Sequence, residues 1–308
     1  MLPLHSVSNE IPEPYDLGAL WFPLEWVPAA AVAVTAALYV WGVVKLVRRG
    51  DAWHWGRTAS FLIGGLGSIF VATQGPLARL DTTLLWTHMV QHMILTMVAP
   101  IFLGLGAPIT LALRTLPQPL RRALLWFLNS RYAKIVASPL FAGFVYILNP
   151  WVLYFTPYYQ ATLTNDLLHN FNHFHFLVVG CVWFWSLVGI DPMPRMGYPF
   201  RLLAVFVTLP FHAFLGVTIM DSQTLIASGY YETLVRSWGP SIAEDQQLAG
   251  GLLWTAGDVV GVLLFVVLMM QWAKASAREA KRIDRELDRQ DAEAARLAAE
   301  PTLPAPND

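Results

Sequence analysis

The sequence predicts an all-α integral membrane protein: a bundle of seven transmembrane helices, N-terminus outside and C-terminus inside. Three observations carry this. First, the 308 residues are 56% hydrophobic and only 13% charged, against roughly 25% charged in ordinary globular chains. Second, seven apolar runs reach the length of about 20 residues that a spanning helix needs. Third, Lys and Arg are segregated between alternate connections, as expected when basic residues collect in cytoplasmic loops.

The chain divides into an extracytoplasmic segment (1–25), a seven-helix domain (26–273) and a charged cytoplasmic tail (274–308) that is helical and then disordered. The start lacks a basic n-region, and Glu10, Glu13 and Asp16 precede the first apolar run. No cleavable leader is therefore expected, and a short acidic segment can cross as a tail. The runs are 26–47, 59–78, 84–105, 135–155, 167–190, 201–221 and 248–273. The second is the weakest, because Gln74, Gly75 and Pro76 cluster at its end. Basic residues occupy the first, third and fifth connections (Lys45 to Arg57, Arg114 to Lys134, Arg195 and Arg201) and the tail, 18 of the 20 in the chain. Only Arg79 and Arg236 fall on the other side. The segment from Leu120 to Trp126, with Arg121 and Arg122, reads as a stretch lying along the cytoplasmic interface. The Ala-, Glu-, Arg- and Lys-rich tail reads as a solvated helix, with Pro301 to Asp308 disordered. No internal repeat is evident.

Composition excludes a nucleic-acid binder built on a basic surface, and one cysteine, Cys181, excludes an internal disulfide framework or a CxxC motif. Cys181 reads as a small buried apolar side chain. His5 and His54 read as surface or interfacial residues.

The other six histidines fall inside three spans, where polar groups are costly and face the bundle interior. His88 and His92 are four apart in the third span and share a helix face, with Met89 and Met93 beside them. His169 and His173 repeat that spacing in the fifth, with His175 turned away; the sixth carries His212 and the seventh Asp258. At 1.5 Å per residue, His92, His173, His212 and Asp258 fall about 9–15 Å below the outer boundary, with His88 and His169 above them at about 3–6 Å. Four spans thus converge on one outer-leaflet layer. Imidazole suits copper, zinc, iron and nickel, and thioether sulfur favours Cu(I). Met89, Met93, Met97 and Met220 direct the reading to copper. The bland alternative is interhelical hydrogen bonding. Two functional rivals are a b-type haem protein with axial His pairs and a His/Asp proton-coupled transporter. The first is opposed by crowding from Phe171, Phe174 and Phe176, the second by the lack of evident repeats or broken helices.

Several segments are similar to one family. They are His88-Met89-Val90-Gln91-His92-Met93 with Pro100 and Leu105-Gly106-Ala107-Pro108, then Pro157-Tyr158-Tyr159, the His169/His173 pair, and Pro210-Phe211-His212 with Gly216. The last is Asp245-Gln246-Gln247-Leu248-Ala249-Gly250-Gly251-Leu252-Leu253-Trp254. Over about residues 20–273 the chain resembles the seven-span cytochrome c oxidase assembly factors of the CtaG type, associated with caa-type oxidases. These are distinct from the single-span copper chaperone that shares the name. The resemblance implies a role in maturing a haem–copper oxidase in the bacterial cytoplasmic (inner) membrane. The implied partners are an oxidase subunit and an extracytoplasmic copper donor, in contact with membrane lipid and without nucleic acid. The expected ligands are His92, His173 and His212, with Asp258 as ligand or hydrogen-bonded partner, and His88, Met89 and His169 as an outer transfer station. Asp245 and Gln246 either cap the last helix or stand at the entry to the site. No nucleophile–base pair, phosphate loop or carboxylate dyad points to an enzyme.

Overall fold

A computed structural model describes residues 20–21, 24–192 and 197–299. His5, the acidic residues ahead of Glu25, Arg195 and the stretch from Pro301 to Asp308 lie outside them. All regular elements among the described residues are helical: α1 Trp26–Val47, α2 Trp55–Leu80, α3 Leu85–Leu105, α4 Pro108–Thr115, α5 Gln118–Asn129, α6 Arg131–Val136, α7 Pro139–Tyr154, α8 Tyr158–Thr164, α9 Asp166–Val188, α10 Tyr198–Asp221, α11 Ser228–Tyr231 and α12 Ile242–Ala299.

Six of these, α1, α2, α3, α9, α10 and α12, are long and apolar enough to cross a membrane. The fourth expected span, 135–155, takes another form. Ser138 accepts a hydrogen bond from Phe141 N–H ahead of Pro139, which starts α7 there rather than at 135. α7 and α8 then form one apolar unit bent by 68°. α2 is also broken, with Gln74 in an extended conformation. The structure thus interrupts α2 at Gln74, where the sequence is weakest as a span, and the α7–α8 unit between Tyr154 and Tyr158. α2 and α3 each contain a wide π turn, Ser60–Leu66 and Ile94–Val98; such turns recur at functional sites.

The last expected span, 248–273, is the middle of a longer helix. α12 starts at a reciprocal cap in which Glu244 N–H donates to Ser241 Oγ and Ser241 N–H donates to the Glu244 carboxylate. It then continues unbroken past Lys274. The tail is exposed up to Arg296, and α5, which holds Leu120 to Trp126, buries no residue. His54 is exposed and accepts from Gly56 N–H at the start of α2.

The connections separate into two ends. At one, Lys45 Nζ donates to Thr115 O at 2.7 Å, Arg114 pairs with Asp51 at 3.3 Å, and the Asp191 carboxylate accepts from Ile109 and Thr110 N–H at the start of α4. The basic connections therefore meet in space. At the other end Glu25 bonds to Gln74, Asp245 to the start of α3, and Gln246 to the loop after α10. Helices approach most closely where side chains vanish. A Cβ on Gly180 of α9 would lie 2.1 Å from Thr96 O of α3, and one on Gly250 of α12 would lie 2.6 Å from Gly216 O of α10.

Candidate metal centre

α3 and α9 place four imidazoles in one cluster. Their i, i+4 spacing brings His88 against His92 with tilted rings, centroids 4.0 Å apart, and His169 edge-on to His173 at 4.4 Å. The Gly180 contact holds the two helices close enough for the pairs to meet, with His88 5.8 Å from His169 and His92 5.5 Å from His173.

The sequence reading missed the group that completes the cluster. Asp81, 1% exposed, sits in the short turn between α2 and α3. Its Oδ2 accepts from His169 Nε2 at 2.9 Å and lies 4.0 Å from His173 Nε2. One donor atom from each of Asp81, His169 and His173 falls within 4.8 Å of the others. A signal was there to be read: Asp81 is the only carboxylate between Asp51 and Asp166.

Buried polar atoms are nearly always hydrogen-bonded, so the exceptions are informative. Among the described residues, neither ring nitrogen of His88 has a hydrogen-bond partner, although its side chain is fully buried. Asp81 Oδ1, His92 Nε2 and His169 Nδ1 are in the same state. With its Nε2 proton donated to Asp81, His169 presents Nδ1 as a free acceptor. That is how a carboxylate sets the tautomer of a metal-ligating histidine. Two imidazoles and a carboxylate suit divalent zinc, copper or iron.

The cluster opens onto a cavity of ≈ 480 Å³ whose walls are mostly apolar residues of α1, α2, α3 and α9. Asp81, Gln91, His169 and His173 supply polar lining at one part of it. Cys181, expected to be buried, is partly exposed on this wall and packs against the Tyr39, Phe61 and Leu103 group. On the other side His88 packs on Tyr159 at 4.8 Å, whose hydroxyl bonds to Tyr231 at 2.7 Å. Burial pushes the Tyr231 phenol well above its ordinary pKa, so this pair stays neutral and closes the cluster from that side. His175, as expected, turns away and bonds to Asn149 at 3.0 Å.

The remaining expected residues distribute differently. Successive helix residues are rotated by about 100°, so His88 faces α9 while Met89 turns into an apolar core with Leu153, Leu215 and Leu253. Met89, Met93 and His92 line a small void with Met97 and His212. Asp258 is partly exposed, one residue beyond Gly257, the position that packs on His212. It does not join the histidine cluster.

Asp245 and Gln246 hold the site's frame. The expected cap is realised on another helix: the Asp245 carboxylate accepts from Leu85 N–H at 2.8 Å and Trp86 N–H at 3.0 Å, at the start of α3. Gln246 accepts from Ile226 N–H at 2.7 Å and donates to Ile219, Ser222 and Thr224 carbonyls. Their position at the head of α12 was legible, but the partners they serve were not.

Comparison with known proteins identifies the family. Residues 37–275 match the family model described as cytochrome c oxidase caa3 assembly factor (Caa3_CtaG). The chain is 35% identical over 293 residues to Uncharacterized protein Mb0105 of Mycobacterium bovis and to Uncharacterized protein MT0111 of Mycobacterium tuberculosis. It is 32% identical over 295 residues to Uncharacterized protein ML1998 of Mycobacterium leprae. Each alignment covers 92% of this chain and 44% of the relative, so the chain spans less than half the length of the curated proteins it matches. No solved structure matches it. On the strength of the family match, which takes in both histidine pairs and the Asp245-Gln246 helix head, the chain belongs to the cytochrome c oxidase caa3 assembly factor family.

Proposed function

We propose that this chain assists the maturation of a haem–copper cytochrome c oxidase by holding copper and passing it on, without catalysing a covalent reaction. The observation that carries the reading is Asp81 joined to His169 and His173 beside His88, a fully buried imidazole with neither nitrogen bonded. Such a cluster is costly without a ligand, since each unbonded buried polar group costs about 1–3 kcal/mol. A bound cation offsets that cost by using the free nitrogens and balancing the carboxylate.

The proposed ligands are His88, His92, His169 and His173, with Asp81 as ligand or as the group that orients His169. Handover needs ligands that can be exchanged one at a time, and the two His pairs provide this. The proposed location is the bacterial cytoplasmic membrane, N-terminus outside, because the basic connections gather at the end opposite Asp81. The site then faces the outer side, where an extracytoplasmic donor and an oxidase subunit can reach it. A haem between α3 and α9 is disfavoured, because ring centroids only 4.0–5.8 Å apart leave no room for a macrocycle between the helices.

Elemental analysis and a visible spectrum of the purified chain test the metal directly; copper without a Soret band is expected, and a Soret band without copper would replace this reading with haem. A deletion strain grown at limiting copper is expected to lose oxidase activity. The wild-type gene should restore it and His88→Ala/His169→Ala should not. Normal activity in the deletion strain would remove the assembly role.

A further inference from the structure

A second group of ligand-type side chains lies next to the Asp81 cluster but does not belong to it. Met89, Met93 and Met97 recur every four residues along α3, and all three are buried. They line a void of ≈ 20 Å³ together with His92, Tyr146 and His212. That is room for one small occupant, since a site of about 10–15 Å³ by this measure admits a water molecule. His92 is 3% exposed, and its Nε2 has no hydrogen-bond partner. The ring of His212 also lines the void. Its Nδ1, also unbonded, lies beside Gly257 in an adjoining void of ≈ 20 Å³ that shares Met97, Tyr146 and His212 with the first.

Methionine alone is an ordinary filler of apolar cores, and an ordered water could bond to His92. Neither accounts for three thioether side chains lining one small void together with a buried imidazole that keeps an unbonded nitrogen. The donor set is soft and uncharged, with no carboxylate among the lining residues. Such a set favours a soft monovalent cation, whereas the neighbouring Asp81 cluster offers a hard oxygen donor and suits a divalent one.

We propose that this void is a distinct soft-metal site for a monovalent cation of the Cu(I) class, with Met89, Met93, Met97 and His92 as its ligands and His212 in its lining. It builds on the copper reading above and shares His92 with that cluster. The shared His92 gives a monovalent ion a route by ligand exchange to the imidazoles of the histidine pairs, which also suit copper, without engaging the Asp81 carboxylate and with no change in oxidation state.

The test uses Ag(I) as the soft monovalent probe and Zn(II) as the divalent one, with the full chain purified in detergent. Ag(I) is expected to bind at one equivalent with sulfur ligation in its X-ray absorption spectrum. It should shift the methyl resonances of three of the nine methionines. The volume-conserving variant Met89→Leu/Met93→Leu/Met97→Leu is expected to lower Ag(I) affinity by about tenfold or more. Asp81→Asn should weaken Zn(II) binding and leave Ag(I) affinity within about twofold. Ag(I) bound through nitrogen and oxygen only, unshifted methionine methyls, or unchanged affinity in the triple variant would overturn the proposal. The methyl measurement needs no variant and so does not depend on the triple substitution folding. If Zn(II) uptake ignores Asp81→Asn while Ag(I) still requires the methionines, the soft site stands and the Asp81 assignment falls.

Discussion

His169 donates from Nε2 to Asp81 Oδ2 at 2.9 Å, across 88 positions of sequence, with both side chains buried. The bond ties the turn between α2 and α3 to the first turn of α9. It orients one imidazole of the four-histidine cluster, so the fold and the proposed metal site depend on the same contact. Asp81→Asn keeps the shape but removes the charge, and its expected effect is a loss of about 10–100-fold in Zn(II) or copper affinity. Competition against a chromogenic chelator measures it; unchanged affinity would take Asp81 out of the site.

Asp245→Ala strips two N–H groups at the start of α3, one buried and one half-buried, of their acceptor. The expected cost is about 1–3 kcal/mol, read as a lower midpoint of thermal unfolding in detergent. Hydrogen exchange should quicken first at Leu85 and Trp86. Uniform quickening across α12 instead would mean that Asp245 serves its own helix.

The Tyr159–Tyr231 hydroxyl pair gives a double-mutant cycle. Either single Phe substitution leaves one buried hydroxyl unpaired and is expected to cost about 1–3 kcal/mol. The double Phe variant should be close to wild type. Because burial raises the Tyr231 phenol in the fold, its contribution to stability is present below the unfolded value of about 10 and is lost as pH rises above it. Additive single-variant losses would show that the two hydroxyls do not interact.

Gly180→Ala puts a methyl against Thr96 O at the α3–α9 crossing. Overpacking is expected to destabilise by about 1–3 kcal/mol and to part the two histidine pairs. Metal affinity and melting temperature should therefore fall together. A variant that melts lower but binds metal normally would separate the crossing from the site.

As a control, Asp51→Asn removes a half-exposed partner of Arg114 at the opposite end. A solvent-screened pair of this kind contributes under about 1 kcal/mol. Neither melting temperature nor metal uptake should change measurably.

Much of this protein was legible because membrane insertion is a local demand. Each span must be apolar by itself, so composition and run length reveal most spans without reference to partners. The basic connections around Lys45 and Arg114 were recognised as one side of the bundle by count alone, and they do meet. The pairs His88/His92 and His169/His173 were legible for the same reason, since four-residue spacing puts both members on one face.

What the sequence could not supply was everything that depends on which helices touch. Depth along a span placed Asp258 level with His92 but said nothing of rotation, and the fold does not bring its carboxylate into the group formed by Asp81, His169 and His173. Asp81 was passed over because it lies in a turn, yet packing of that turn on α9 makes it the carboxylate nearest the histidines. Asp245 was read either as a cap of the last helix or as a residue at the entry to the site, and only tertiary contact shows that its carboxylate accepts from the first N–H groups of α3. Sequence thus determined most of the spans, the paired histidines and their family. Tertiary structure decided which side chains gather around those histidines, because such a cluster depends on the distances between side chains from different helices, and those distances follow from close crossings such as Gly180 on Thr96.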